Sequence, residues 1–251
     1  MIRFGATIAL ALTLAFPARA QEAMDSRLSM EKLAAIEPGA YQAGDNVKFT
    51  LDAAGENFLL RFDGDPEIFV LYSGDASMGG RVLKYDTGET VMQVAGWGGM
   101  TLYTDASPNG LPAMRIGDSV APSPPAISLG DIQNAASDEA AHLNYTRGLH
   151  LSFTADWNAL QNNDAMRALC FDAMENTARG IEIFTASTPE RQIIAHRLNI
   201  VMIVQGAKPM ISVKDKTLTA TFNPARGYAG RASSRAIARA LARVLPPEKK
   251  S

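Results

Sequence analysis

Three prolines within the five residues Ala121-Pro122-Ser123-Pro124-Pro125 divide this chain into two parts that follow different periodicities. Each proline removes a backbone donor and pushes the residue before it toward extended conformations, so neither a helix nor an inner strand continues across the segment. We read residues 121–125 as a linker. Before it, apolar, β-branched and aromatic runs recur at Val47–Leu51, Phe58–Phe62, Glu67–Tyr72, Arg81–Tyr85, Thr90–Val94, Met100–Thr104 and Ala113–Ile116. Turn-forming residues separate them: Ala53-Ala54-Gly55, Asp63-Gly64-Asp65-Pro66, Gly79-Gly80, Asp86-Thr87-Gly88, Gly96-Trp97-Gly98-Gly99 and Ser107-Pro108-Asn109-Gly110. Short strands at such regular spacing predict an antiparallel meander over residues 43–120, with about seven strands.

After the linker the period changes from two to 3.6, which predicts an α/β half over residues 126–251. Helices are expected at Asp131–Tyr145, from Asn163 or Asp164 to Gly180, after Thr188-Pro189, and at Ser234–Val244. Strands are expected at Leu149–Thr154, Leu198–Val204, Pro209–Val213 and Thr217–Phe222, with Lys214-Asp215-Lys216 as a polar turn. The expected class is therefore α+β: a β-meander followed by a half of mixed helices and strands.

The first 20 residues have the layout of a cleavable signal peptide. Arg3 is positive, Phe4 to Phe16 carry no charge, and Ala18-Arg19-Ala20 gives the small-x-small cleavage pattern. The apolar run has 13 residues, whereas a spanning helix needs about 20. Cleavage after Ala20 and a periplasmic or secreted, soluble protein without a transmembrane segment are expected. Residues 21–42 read as a tail or docking helix, with a short helix at Ser29–Ile36. Cys170 is the only cysteine, so no intramolecular disulfide forms, and its place on the apolar face of a helix makes it a core residue.

The formal net charge of −2 hides a strong asymmetry. Residues 21–200 hold 12 basic and 24 acidic side chains, residues 201–251 hold 10 and 2. Within the basic segment Arg231, Arg235, Arg239 and Arg243 recur every fourth residue, a spacing that keeps them near one helix face, and Arg226 precedes them. Like charges at that spacing repel by a few tenths of a kcal/mol per pair, so anionic partners are expected. Three sources remain open: the acidic remainder of the same chain or solvent; an outside anion such as anionic lipid, lipopolysaccharide or an acidic protein; and backbone N–H groups at Gly227-Tyr228-Ala229-Gly230-Arg231 that collect a carboxylate or phosphate.

Catalytic motifs fail on their surroundings. Ser29-Met30-Glu31-Lys32 matches S-x-x-K, but Lys216-Thr217-Leu218 and Ser137-Asp138-Glu139 do not supply its partners. Gly96-Trp97-Gly98-Gly99 places Thr101 where a dinucleotide fingerprint has its third glycine. Asp63, Asp65 and Glu67 lack the further ligands of a calcium loop, and His142 and His150 lack a zinc motif. No catalytic residue, metal, cofactor or nucleic-acid partner is expected, and no signal for an oligomeric state stands out.

The stretch Phe58 to Ala113, with Tyr72-Ser73-Gly74-Asp75 and Val94-Ala95-Gly96-Trp97-Gly98-Gly99-Met100-Thr101-Leu102-Tyr103-Thr104, together with Thr221-Phe222-Asn223-Pro224-Ala225-Arg226-Gly227, resembles a family of exported Gram-negative proteins grouped as a domain of unknown function. The resemblance implies a periplasmic or secreted location and brings no activity or site. The expected function is a non-enzymatic, envelope-associated binding or structural protein with an Arg-rich C-terminal helix. The alternative is a hydrolase of an envelope polymer using Asp63, Asp65 and Glu67 or His142 and His150.

Overall fold

The structure, a computed structural model, describes residues 36–246. The expected signal peptide, the Ser29–Lys32 motif and all but the last residue of the helix expected at Ser29–Ile36 lie outside them.

The first half is a closed barrel of eight antiparallel strands in sequence order. They are β1 (Gly39–Ala43), β2 (Val47–Ala54), β3 (Asn57–Phe62), β4 (Phe69–Asp75), β5 (Arg81–Lys84), β6 (Thr90–Val94), β7 (Met100–Thr104) and β8 (Ser107–Gly117). About seven strands in an antiparallel meander were expected. The eighth is β1, which the sequence placed partly in the tail: Gly-Ala-Tyr-Gln-Ala carries little β propensity, and its conformation is imposed by pairing with β2 on one side and β8 on the other. That double pairing closes the barrel and leaves no free edge.

Strand β8 is also longer than expected. Ser107-Pro108-Asn109-Gly110 reads as a turn, but the reversal is made by Asp105 and Ala106, and the Pro108–Gly110 stretch lies within the strand. Irregular register in β1–β8, β5–β6 and β7–β8 gives the added local twist that a small closed sheet needs. Alternation sends Tyr41, Phe49, Leu51, Leu60, Leu71, Leu83, Met92 and Leu102 inward to form one buried cluster, so the lower barrel is filled with side chains.

Residues 118–128 then run without regular structure. Their beginning is tied to the barrel: Ser119 Oγ donates to Asp52 Oδ1 at 2.5 Å, and Arg61 Nη2 donates to the Val120 carbonyl at 2.8 Å.

The second half contains α1 (Leu129–Arg147), β9 (Ser152–Ala155), α2 (Trp157–Leu160), α3 (Asp164–Phe184), α4 (Thr188–Arg197), β10 (Ile200–Gln205), β11 (Met210–Lys214), β12 (Thr217–Phe222), a 3-10 segment (Pro224–Gly230) and α5 (Ser234–Val244). The sheet order is β11-β12-β10-β9, with β9, β10 and β12 parallel and β11 antiparallel at one edge. Local sequence starts the helices. Ser128 and Asp131 form a reciprocal capping box at α1, and the Asn163 side chain accepts from the Met166 N–H at 3.0 Å to open α3. Met174, Ile181, Ile194, Val201, Leu218, Ile237 and Leu241 belong to a second, separate core. Cys170 is buried in it, and burial pushes its thiol up to about 12, which leaves it an unreactive apolar side chain at neutral pH.

Gly180 does not end α3, as the sequence suggested. The helix continues to Phe184, and Gly180 marks the place where α5 crosses it. A Cβ there would stand 2.6 Å from Ile237 Cβ and Cγ2 and 2.9 Å from the Ser234 carbonyl. The missing side chain therefore sets how close α5 lies to α3. Gly180→Ala is expected to lose about 1–3 kcal/mol in denaturant unfolding. A gain of stability, the usual result of Gly→Ala inside an open helix, would contradict this close crossing.

Candidate functional site

Antiparallel strands in sequence order alternate direction, so the turns at residues 44–46, 63–68, 85–89 and 105–106 all fall at one end of the barrel. The N-terminus of α5 docks on that end. The Ser233 N–H and Oγ donate to the Asp86 carboxylate at 2.8 and 2.6 Å. The Ser234 N–H and Oγ donate to the Glu67 carboxylate at 2.8 and 2.5 Å. Two carboxylates thus meet the first free N–H groups of a helix, where the helix dipole also favours negative charge.

The basic residues singled out in the sequence divide around this dock. Arg231 is buried and lies before α5 in extended conformation, not on its face. It donates to the Ile68 carbonyl at 2.6 Å and pairs with Asp172 of α3. Burial lowers its guanidinium to about 10, with Glu67 and Asp86 opposing the shift, so it stays cationic at neutral pH. Arg235 makes a two-pronged pair with Asp105, at 2.7 and 2.9 Å, and reaches Glu89 at 3.1 Å. Its guanidinium lies 4.9 Å above the Tyr85 ring. Arg239 donates to the Thr87 carbonyl at 2.6 Å. Arg226 and Arg243 are exposed and make no such contact among the described residues. Arg179 of α3 adds pairs to Asp65 and Glu67, at 3.0 and 3.5 Å.

The anion-collecting N–H groups expected at Gly227–Arg231 are found slightly later, at Ser233 and Ser234, and they are filled by the chain's own carboxylates. Glu67 is nearly sealed from solvent, and that burial raises its carboxyl above the usual range despite the bonds from Ser234 and the nearby Arg231 and Arg179. Asp105 is 80% exposed, and the hydrogen bonds from Arg235 hold its carboxyl below the usual range.

Beneath Arg235 the barrel mouth opens into a cavity of about 800 Å3. An aromatic series of Tyr41, Phe49, Phe62, Phe69 and Tyr85, with successive centroids 5.3, 6.2, 6.3 and 5.3 Å apart, runs below it, and the last three rings form its floor. Phe62, Phe69 and Tyr85 line the cavity together with Tyr103, which bonds Gln93 at 3.2 Å. Asp65, Glu89 and Asp105 supply its carboxylates and Arg235 its cation. Sequence reasoning missed this site because its lining comes from seven strands and three turns plus a helix far along the chain. The Asp65-Pro66 and Asp86-Thr87-Gly88 turns were visible, but not their meeting at one rim.

The other singled-out groups do not converge. Asp65 and Glu67 are occupied by Arg179 and by Ser234, while His142 lies 3.5 Å from Glu182 in a separate cleft that Arg179 also lines, and His150 is exposed. The described residues contain no group of three His, Cys, Asp or Glu side chains able to hold a metal ion. Gly96-Trp97-Gly98-Gly99 forms the β6–β7 hairpin turn, with Trp97 72% exposed. Among the described residues no helix is long and apolar enough to cross a membrane.

Removing Glu67 strands two donors and weakens the environment of a buried cation. Glu67→Ala is expected to lose about 3–5 kcal/mol of unfolding free energy. The two perturbed carboxyls act in separate pH windows. Because Glu67 binds its proton more tightly when folded, its contribution is fully present below the ordinary value of 4.5 and is lost as pH rises through the raised folded value. Asp105 contributes above 3.8, and that part is lost as pH falls through its lowered folded value. Denaturant unfolding across pH should therefore show Glu67→Gln flattening the curve above 4.5 and Asp105→Asn flattening it below 3.8. Identical changes in both windows would contradict these assignments.

No curated protein and no solved structure matches the chain. The family described as Domain of unknown function (DUF4908) matches residues 20–241, which span the barrel, the connecting segment and nearly all of the α/β half. The chain belongs to this family.

Proposed function

We propose that this protein is an exported, non-enzymatic binding protein of the cell envelope, and that its ligand enters the barrel mouth. The observation that carries the reading is the cavity itself: about 800 Å3, within the range of sites that take small molecules, with aromatic walls and a few polar groups at the rim. Eight-stranded barrels are wide enough to hold one small ligand where side chains do not fill them, and here the filling stops at the aromatic floor. The N-terminal pattern of Arg3, the apolar run and Ala18-Arg19-Ala20 supports export.

The pairing of the mouth's carboxylates with an arginine supports binding over hydrolysis. Glu89 and Asp105 both face Arg235, and no histidine lines the cavity. In this reading the C-terminal arginines serve mainly to fasten the α/β half over the mouth. An anionic lipid, lipopolysaccharide or acidic protein meeting this end would do so through Arg226 and Arg243.

The test is to express the full chain in a Gram-negative host, isolate the protein from its envelope fraction and profile small molecules released on denaturation. Thr90→Trp, which fills the mouth from the exposed first residue of β6, serves as the blocked control. The expected result is a mature chain starting at Gln21 that carries a small molecule, with the same molecule depleted from the variant. A chain retained in the cytoplasm, or identical profiles from both proteins, would refute the proposal.

A further inference from the structure

Resting on the reading of the mouth as a ligand site, we infer that its ligand is an organic cation: an amine or quaternary ammonium group on an apolar body. Three carboxylates, Asp65, Glu89 and Asp105, line the cavity against one cation, Arg235. Arg179 pairs with Asp65 at 3.0 Å, so Glu89 and Asp105 against Arg235 leave the mouth one negative charge in excess.

Most donors at the site are already committed. Both Arg235 terminal nitrogens bond Asp105 or Glu89, which uses three of its five N–H donors, while its Nε is sealed from solvent without a partner. An incoming carboxylate or phosphate would have to displace Asp105 or Glu89 from the guanidinium in a mouth whose charge is already negative. The carboxylates keep unused lone pairs, since Asp105 and Glu89 are 80% and 51% exposed. An ammonium group has hydrogen bonds to give them.

The floor is suited to the same charge. Tyr85 holds the Arg235 guanidinium over its face at 4.9 Å, the cation–π contact that such a lining offers a positive charge. Phe69 stands edge-on to Tyr85 and Phe62 follows it, extending the aromatic surface for an apolar body. The rim carboxylates then take the charged end and the rings the remainder.

The experiment is calorimetric titration of the mature protein with four probes that share one body: 3-phenylpropylamine, its N,N,N-trimethyl derivative, 3-phenylpropan-1-ol and 3-phenylpropanoate. Both cations are expected to bind saturably, the alcohol to bind roughly tenfold more weakly, and the carboxylate not to bind. Glu89→Gln is expected to weaken the amine roughly tenfold, with unfolding measured in parallel to show that the variant is folded. Thr90→Trp is expected to abolish binding of every probe. Equal affinity for all four probes, or preference for the carboxylate, overturns the cationic assignment while leaving the mouth a ligand site. No binding by any probe also overturns the assignment, and the mouth itself falls only if the envelope-isolated protein carries no molecule that Thr90→Trp excludes.

Discussion

Everything in this molecule turns on a helix N-terminus that is satisfied by carboxylates from a different half of the chain. Glu67 and Asp86 sit on two turns of the barrel, and Ser233 and Ser234 offer them both backbone and side-chain donors. Asp86 is exposed, but Glu67 could not be buried alone: an unpaired carboxylate and the free N–H groups of a helix start are both costly away from water. Together they fix where α5 begins, and Gly180 fixes how closely it lies on α3. Arg231, Arg235 and Arg239 then extend the contact along the rim.

The same dock defines the cavity. Arg235 is held by Asp105 and Glu89 above Tyr85, so the roof of the mouth is built from the α/β half and its floor from the barrel. A barrel alone would present an open aromatic end to solvent. With α5 in place that end becomes a bounded space with a charged rim, which is the arrangement small-ligand sites use. Under the proposed ligand reading, stability and recognition draw on the same side chains, so a change at Glu89 or Asp105 is expected to affect both.

Local chemistry made much of the fold legible. Turn residues punctuated most of the strands, Asp86-Thr87-Gly88 formed its hairpin with Gly88 at positive φ, and the last helix occupies Ser234–Val244 as its pattern indicated. What escaped was set by distant partners. Strand β1 is a strand because β2 and β8 flank it, Pro108–Gly110 is strand because the reversal happens two residues earlier, and Gly180 is required by Ile237 rather than by a helix end. The charge asymmetry pointed to a meeting of basic and acidic parts, but it did not say which carboxylates. Ser234 and Glu67 are 167 positions apart, and no periodicity within either segment carries that information.

The central claim is that the two halves are joined into one cooperative unit by this dock. Native-state amide hydrogen exchange tests it most directly, by comparing the opening free energies of barrel amides such as Leu51 and Leu71 with those of Val201 and Ile203 in the parallel sheet. The account predicts one shared opening free energy for both sets, and protected Ser233 and Ser234 amides that are lost together in Glu67→Ala. Two well-separated opening free energies, with Ser233 and Ser234 exchanging as freely as exposed amides, would contradict it.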